Sequence, residues 1–245
     1  MKMVGILIRI AVLALLICFL ARPGAFEALF APLTKRGAPP IYTQANLLYL
    51  ALNHLALVGI AVLAAAIVSV ALAIVVTRPS GEEFLPLSRA LANIGQTFPP
   101  VAVLALAVPA LGFGAAPTFV ALFLYGLLPV FENTLTGLST LPQPVMEAAR
   151  GMGMTDRQML FRVELPLALP VILAGIRLSA VIAVGTATIG STVAASTLGE
   201  VIIAGLLSNN LAFILQGGLV VAAMAVLIYD ALRWLEDRVA QPSAS

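Results

Sequence analysis

Residues 143–166 read Gln-Pro-Val-Met-Glu-Ala-Ala-Arg-Gly-Met-Gly-Met-Thr-Asp-Arg-Gln-Met-Leu-Phe-Arg-Val-Glu-Leu-Pro, the longest polar interruption between two apolar stretches. Pro144 suits the first turn of a helix, where its missing N–H costs nothing. Glu147 would then lie near the positive end of the helix dipole. Gly151 and Gly153 permit a sharp turn, and a side chain at Gly153 would obstruct it. The pattern predicts two short helices joined by a glycine turn at a membrane surface.

The second short helix has start and stop signals of its own. Thr155 and Gln158, three residues apart, match a capping box. Pro166 is expected to end the segment before the next apolar run. From the residues alone, an ordinary polar loop between two spans explains this segment as well as a docking element for a soluble partner does.

The chain as a whole is too apolar for a soluble protein. Of its 245 residues, 61% are hydrophobic and 10% are charged, whereas soluble domains carry about 25% charged residues. The net charge of +2, without a basic patch interleaved with aromatic residues, argues against a nucleic-acid partner. The only lysines are Lys2 and Lys35, so the chain has no P-loop and is expected to bind no ATP or other cofactor itself.

The sequence offers no metal site, because its single cysteine and single histidine have no metal-ligand spacing. Cys18 lies in an apolar run and is expected to be a small buried residue. His54 is expected to pack against a neighbouring helix.

Six membrane spans are predicted from the apolar runs, over residues 4–21, 47–76, 84–111, 117–138, 167–190 and 212–235. Residues 22–46 are rich in proline and are predicted to form an irregular loop. The third span is expected to be kinked at Pro99-Pro100, and a short helix is expected over 201–207. A cleaved signal peptide is the alternative for the first run, but Arg22-Pro23 replaces a small-residue cleavage site.

The distribution of lysine and arginine predicts the orientation. With the N-terminus inside, nine of them fall on the inside and three, Arg22, Lys35 and Arg36, on the outside. The positive-inside rule then places both termini and residues 143–166 in the cytoplasm. Arg177 lies within a span and is expected to pair with Glu132 on the neighbouring span or to extend to the membrane surface.

The central segment resembles the EAA loop of ABC-importer permeases. That pattern is Glu-Ala-Ala, three residues, Gly, nine residues, Ile, any residue and Leu-Pro, and Val163 in place of Ile is the only departure. The resemblance implies an all-α integral membrane protein with six transmembrane helices, the type I ABC-importer permease architecture and a cytoplasmic coupling helix. It assigns ATPase coupling to Glu147, Ala148, Ala149, Gly151, Gly153, Leu165 and Pro166. For Leu165 and Pro166, simple re-entry into the membrane is an equal explanation.

Matches between Gln96 and Glu236 also resemble the permeases of osmoprotectant importers, which carry quaternary amines such as glycine betaine, choline and carnitine. The resemblance implies a bacterial inner membrane location, an ABC ATPase subunit that binds ATP, a second permease chain (identical or homologous) and an extracytoplasmic substrate-binding protein. Where that subfamily usually has Gly-Gly-Leu-Gly, this chain has only Leu198-Gly199. An amino acid or another small polar solute is therefore the alternative substrate.

The predicted organisation has three parts: a first transmembrane helix and external loop over 1–46, a permease core over 47–236 and a cytoplasmic tail over 237–245. Asn133, Thr186 and Thr188 are candidates for the translocation path. The alternative for Asn133 is contact with interfacial water near the cytoplasmic end of its span, and helix packing through small side chains explains most of the stretch that contains Thr186 and Thr188. Two other functions stay open as alternatives. A membrane-embedded enzyme would require clustered His, Asp or Glu in the spans, and a scaffold would recruit an ATPase without moving a solute.

Overall fold

The computed structural model describes residues 2–35 and 37–240, and the regular structure in these ranges is helical. Its α-helices are α1 Lys2–Ala21, α2 Glu27–Phe30, α3 Leu47–Val76, α4 Leu85–Thr97, α5 Pro100–Leu111, α6 Ala115–Ser139, α7 Gln143–Gly151, α8 Asp156–Met159, α9 Leu165–Thr186, α10 Gly199–Ser208 and α11 Leu211–Ala240. A π-helical turn, Leu160–Glu164, joins α8 to α9. The outside charge predicted at Arg36 and the last five residues of the predicted tail lie outside the described residues.

Four helical segments are long and apolar enough to cross a membrane, namely α3, α6, Asp156–Val193 and α11. Two bent pairs, Leu7–Ala21 with Pro23–Leu33 and Glu82–Thr97 with Pro100–Leu111, raise the count to six if each is one span. The all-helical membrane fold, the interruption at Pro99 and the short helix that became α10 are therefore confirmed.

The prediction of an irregular loop over 22–46 is wrong in its first part. Residues 23–33 form consecutive helical turns, bent by 114° from α1. Pro23 and Pro32 do not interrupt them, because each occupies the first turn of a 3₁₀ segment, where no N–H is required.

The chain forms two compact units. Unit 1 comprises Met1–Ala61, Pro100–Leu122 and Val181–Ile228, and unit 2 comprises Val62–Pro99, Phe123–Ala180 and Tyr229–Ser245.

In unit 1, His54 is fully buried and fastens α3 to two other segments. Its Nε2 lies 2.9 Å from the Val184 carbonyl, and its Nδ1 accepts a hydrogen bond of 3.4 Å from the Leu198 N–H. These two bonds require a neutral imidazole protonated at Nε2. The prediction that His54 packs against a neighbouring helix is confirmed.

The segment before α3 is held in unit 1 by polar side chains. The Gln216 amide accepts from the Tyr42 N–H at 3.1 Å and donates to the Pro40 carbonyl at 2.7 Å. The Tyr42 hydroxyl donates to Glu200 at 2.7 Å, and burial together with this carboxylate raises the Tyr42 pKa.

Cys18 on α1 is exposed, so its predicted burial is wrong. Much of the apolar surface of α1 around Cys18 is likewise exposed, as at Leu15 and Ile17.

In unit 2, α4 packs antiparallel against α6 at very short range. Gly95 makes this possible, since a Cβ there would overlap the Leu124 carbonyl. A core of α3, α4 and α6 side chains lies beside this contact, including Ala73, Ala92 and Phe131.

The change Gly95→Ala is expected to destabilise the chain by about 2 kcal/mol, because α4 must move away from the α6 backbone. Gly59→Ala is the matched control, since a Cβ on that α3 glycine meets no atom within 4 Å. The control is expected to be neutral or slightly stabilising. Thermal unfolding of the purified chains in detergent measures both, and equal unfolding temperatures would contradict the close packing at Gly95.

The expected pairing of Arg177 with Glu132 is wrong. Arg177 instead pairs with Glu236 of α11 at 3.1 Å and stacks over the Tyr229 ring, 4.7 Å from its centroid. Glu132 pairs with Arg89 of α4. Arg177 thus has a structural partner within unit 2, as expected, but on a different helix.

Candidate functional site

The central segment begins with α7, whose first turn contains Pro144 as predicted. The helix starts at Gln143, so Glu147 lies in the second turn rather than at the positive end of the helix. The helix ends in a Schellman motif, in which Gly153 donates to the Arg150 carbonyl at 2.9 Å and Met154 to the Ala149 carbonyl at 3.2 Å. This motif fixes the direction in which the chain leaves α7.

Gly153 adopts a left-handed conformation with φ of +74°. A Cβ at this position would meet no atom within 4 Å, so lack of space is not what disfavours a side chain in this turn. The requirement for glycine is conformational, because L-residues are strained at this φ. The space beside Gly153 is open to an approaching partner.

Gly153→Ala is expected to cost about 1 kcal/mol of unfolding free energy, and Gly153→Asn less, since asparagine tolerates the left-handed region. Gly151→Ala is the matched control, because Gly151 has an ordinary φ and equally open surroundings. Chemical or thermal unfolding distinguishes the three variants. Equal losses at Gly151 and Gly153 would contradict the conformational explanation.

The capping box at the start of α8 is confirmed. Thr155 Oγ1 accepts from the Gln158 N–H at 3.3 Å, and Gln158 Oε1 accepts from the Thr155 N–H at 2.9 Å. The predicted end at Pro166 is wrong, because the helix runs continuously from Asp156 to Val193. The π-turn explains this: the Leu165 N–H bonds to the Leu160 carbonyl, five residues back, and Pro166 follows without a break.

The surface of α7 has a buried side and an exposed side. Ala149 is 2% exposed, whereas Val145 is 42% and Met152 70% exposed. Glu147, Ala148 and Gly151 are exposed as well. The outer face of α7, defined by Val145, Ala148 and the C-cap residue Met152, is thus a small apolar surface with the short side chain of Ala148 at its middle.

A cavity of about 710 Å³ lies behind α7 within unit 2. Its lining comes from the turn after α3, the end of α6, α7 and the start of the α8–α9 helix, and includes Thr77, Arg78, Leu138, Met146, Arg150 and Glu164. Arg78 forms a two-pronged ion pair with Glu164, and one of its bonds, from Nη1 to Oε1, measures 3.1 Å. The Glu164 hydrogen bond raises the pKa of Arg78, so the guanidinium stays charged.

This ion pair was missed by the sequence interpretation. Glu164 occupies the position that the EAA pattern leaves free, yet its side chain is only 8% exposed. A carboxylate between apolar residues at the start of a span is the signal that could have indicated a buried partner. No sequence pattern identifies Arg78 as that partner.

Two of the three path candidates, Asn133 and Thr188, donate hydrogen bonds to nearby backbone carbonyls. Asn133 donates to the Pro129 carbonyl of its own helix at 2.8 Å and packs against Gly175. Thr188 donates to the Gly185 carbonyl at 2.7 Å, and Thr186 is the last residue of α9. A role for them in translocation stays a prediction.

Residues 72–241 match the family model described as "Binding-protein-dependent transport system inner membrane component". The chain belongs to this family. It is the membrane-spanning permease subunit of an ABC importer, a transport component. Permeases of this family work with an ATPase subunit and a substrate-binding protein.

Curated relatives cover most of the chain. It is 41% identical to the osmoprotectant import permease protein OsmY of Salmonella typhimurium over 195 residues, 80% of this chain and 83% of that one. It is 43% identical to the glycine betaine/carnitine/choline transport system permease protein OpuCD of Bacillus subtilis over 179 residues, 71% of this chain and 76% of the relative.

A solved structure of the MetNI methionine ABC transporter in an inward-facing conformation has a similar fold. The TM-score is 0.71 at 21% sequence identity, with 80% of this chain and 96% of that chain covered. The likeness supports the type I importer permease fold, and at this identity it carries no information about the substrate.

Proposed function

We propose that this chain carries quaternary-amine osmoprotectants of the glycine betaine type across a bacterial inner membrane. The observation that carries the proposal is the identity of 41% and 43%, over most of the chain, to permeases named for osmoprotectants and for glycine betaine, carnitine and choline. The alternative, an amino acid or another small polar solute, gains no support from the likeness to solved amino-acid transporters, because at 21% and 17% identity that likeness shows the fold alone.

The proposed coupling element is α7 with its glycine turn and the start of α9, comprising Glu147, Ala148, Ala149, Gly151, Gly153, Leu165 and Pro166. It docks on a separate ATPase subunit, which binds the ATP. Three features support this role: the exposed apolar face of α7, the Schellman motif that orients it and the rigid continuation of α8 into the α9 span. In the proposed orientation both termini and α7 are cytoplasmic, and two permease chains share one substrate-binding protein.

Uptake into proteoliposomes tests the substrate. The vesicles contain the chain with its ATPase and receive the binding protein loaded with labelled glycine betaine. We expect ATP-dependent uptake of the labelled glycine betaine. Excess choline or carnitine should inhibit this uptake, and excess methionine or histidine should not. Inhibition by the amino acids alone would favour the alternative substrate. ATP hydrolysis without uptake of any solute would favour the scaffold.

A further inference from the structure

One face of unit 2 carries polar side chains along two packed membrane helices. On α4, Arg89, Asn93 and Gln96 lie at helical spacing and are exposed, next to an exposed apolar stripe that includes Leu91. On α6, Tyr125, Glu132 and Thr136 repeat at spacings of seven and four residues and are all partly or fully exposed. We call these six residues the polar face.

The polar face is held together by two sets of bonds. Arg89 forms a two-pronged ion pair with Glu132, with distances of 2.6 and 3.2 Å. Gln96 donates to the Tyr125 carbonyl at 3.0 Å, and the Tyr125 hydroxyl donates to the Phe98 carbonyl at the end of α4. On each helix, seven residues separate the ion pair from the contact between Gln96 and Tyr125, which corresponds to about 10 Å along the helix axes.

This face is unsuited to lipid. The Arg89 and Glu132 side chains are 50% and 37% exposed, and exposed charges in hydrocarbon are expensive. Among the four candidate spans that the described residues contain, α6 is the least apolar. The break in the helical backbone after α4 also argues against contact with lipid, since non-helical backbone at membrane depth must contact protein or water.

We infer that the polar face is a wall of the aqueous translocation path, and that the Arg89–Glu132 pair is a transient contact for a zwitterionic solute. A guanidinium beside a carboxylate presents one positive and one negative group. Glycine betaine carries the complementary pair, a carboxylate and a quaternary ammonium. The two protein charges also offset each other, so neither end of the solute meets an uncompensated like charge. The zwitterion assignment rests on the proposed function, whereas the location of the path does not.

Thiol labelling tests the wall without reference to a substrate. In the assembled transporter with Cys18 replaced by serine, Asn93→Cys is compared with Leu91→Cys, which lies two residues away on the apolar stripe. A charged, membrane-impermeant thiol reagent is expected to label position 93 at least about tenfold faster than position 91. Equal rates would overturn the inference that only the polar face is hydrated.

Transport with the binding protein saturated tests the contact. Arg89→Gln leaves Glu132 facing the solute carboxylate, so uptake of glycine betaine should fall roughly tenfold, while uptake of choline, which lacks a carboxylate, should stay within about twofold. Glu132→Gln leaves Arg89 facing the quaternary ammonium of the solute and should slow the uptake of choline. The matched control is the Arg177–Glu236 pair. Neutralising that pair should change the uptake of both solutes by the same factor.

If Arg89→Gln lowers the uptake of both solutes equally, the ion pair has only a structural role and the proposed contact with the solute is overturned. If the unmodified transporter takes up neither solute, the proposed substrate is wrong and so is the zwitterion contact. The labelling rates still decide whether the polar face is a wall of the path.

Discussion

Ala148→Trp is expected to abolish ATP-driven uptake while leaving the fold intact. Ala148 is exposed in the middle of the outer face of α7, so an indole there can extend into the space outside the chain. If this face docks on the ATPase, the indole holds the two surfaces apart. A loss of about 3 kcal/mol in docking corresponds to more than a hundredfold in affinity. Uptake into proteoliposomes and co-purification of the ATPase with the permease measure the effect.

Ala14→Trp serves as the matched control. Ala14 is also an exposed helical alanine, but it lies on α1, outside the residues 72–241 that match the family model. The control is expected to keep its uptake and its ATPase. An unchanged unfolding temperature in Ala148→Trp shows that the fold is intact. Normal uptake by that variant would exclude the outer face of α7 as the docking surface.

The parts of this fold that depend on local sequence could be predicted. Long apolar runs specified the membrane helices, as in α3 and α11, because a helix that satisfies its own backbone is one of the few structures that lipid tolerates. The capping box at Thr155 and the turn at Gly153 follow from side-chain and backbone preferences of a few residues. These signals located the candidate docking segment.

The errors concern features that depend on distant partners. Local rules predict that Pro166 ends the helix, because proline has no N–H to donate. The π-turn just before it changes the hydrogen-bonding pattern at this point, and the helix continues through Pro166. Arg177 was expected to pair with Glu132, whereas the packing of α11 selects Glu236. Arg78 and Glu164 are 86 residues apart in the chain, and periodicity holds no information about such a pair.

Arg78→Met is expected to destabilise the chain by about 3 kcal/mol, the lower end of the range for breaking a buried pair. It leaves the carboxylate of Glu164 without its partner in a site where the side chain is only 8% exposed. Glu164→Gln should cost less, because Arg78 is 27% exposed and its long side chain can carry the charge towards water. Thermal unfolding in detergent or nanodiscs compares the two.

Two controls separate the buried charge from a general effect of substitution. Arg78→Met combined with Glu164→Leu removes both charges, and should recover most of the stability that Arg78→Met alone loses. Neutralising the exposed Arg89–Glu132 pair should leave the unfolding temperature nearly unchanged, since exposed pairs contribute little. If the double variant at Arg78 and Glu164 is as unstable as Arg78→Met, the loss comes from packing around the cavity behind α7. Recovery would instead show that the loss in Arg78→Met comes from the unpaired carboxylate of Glu164, and that the ion pair itself adds little net stability.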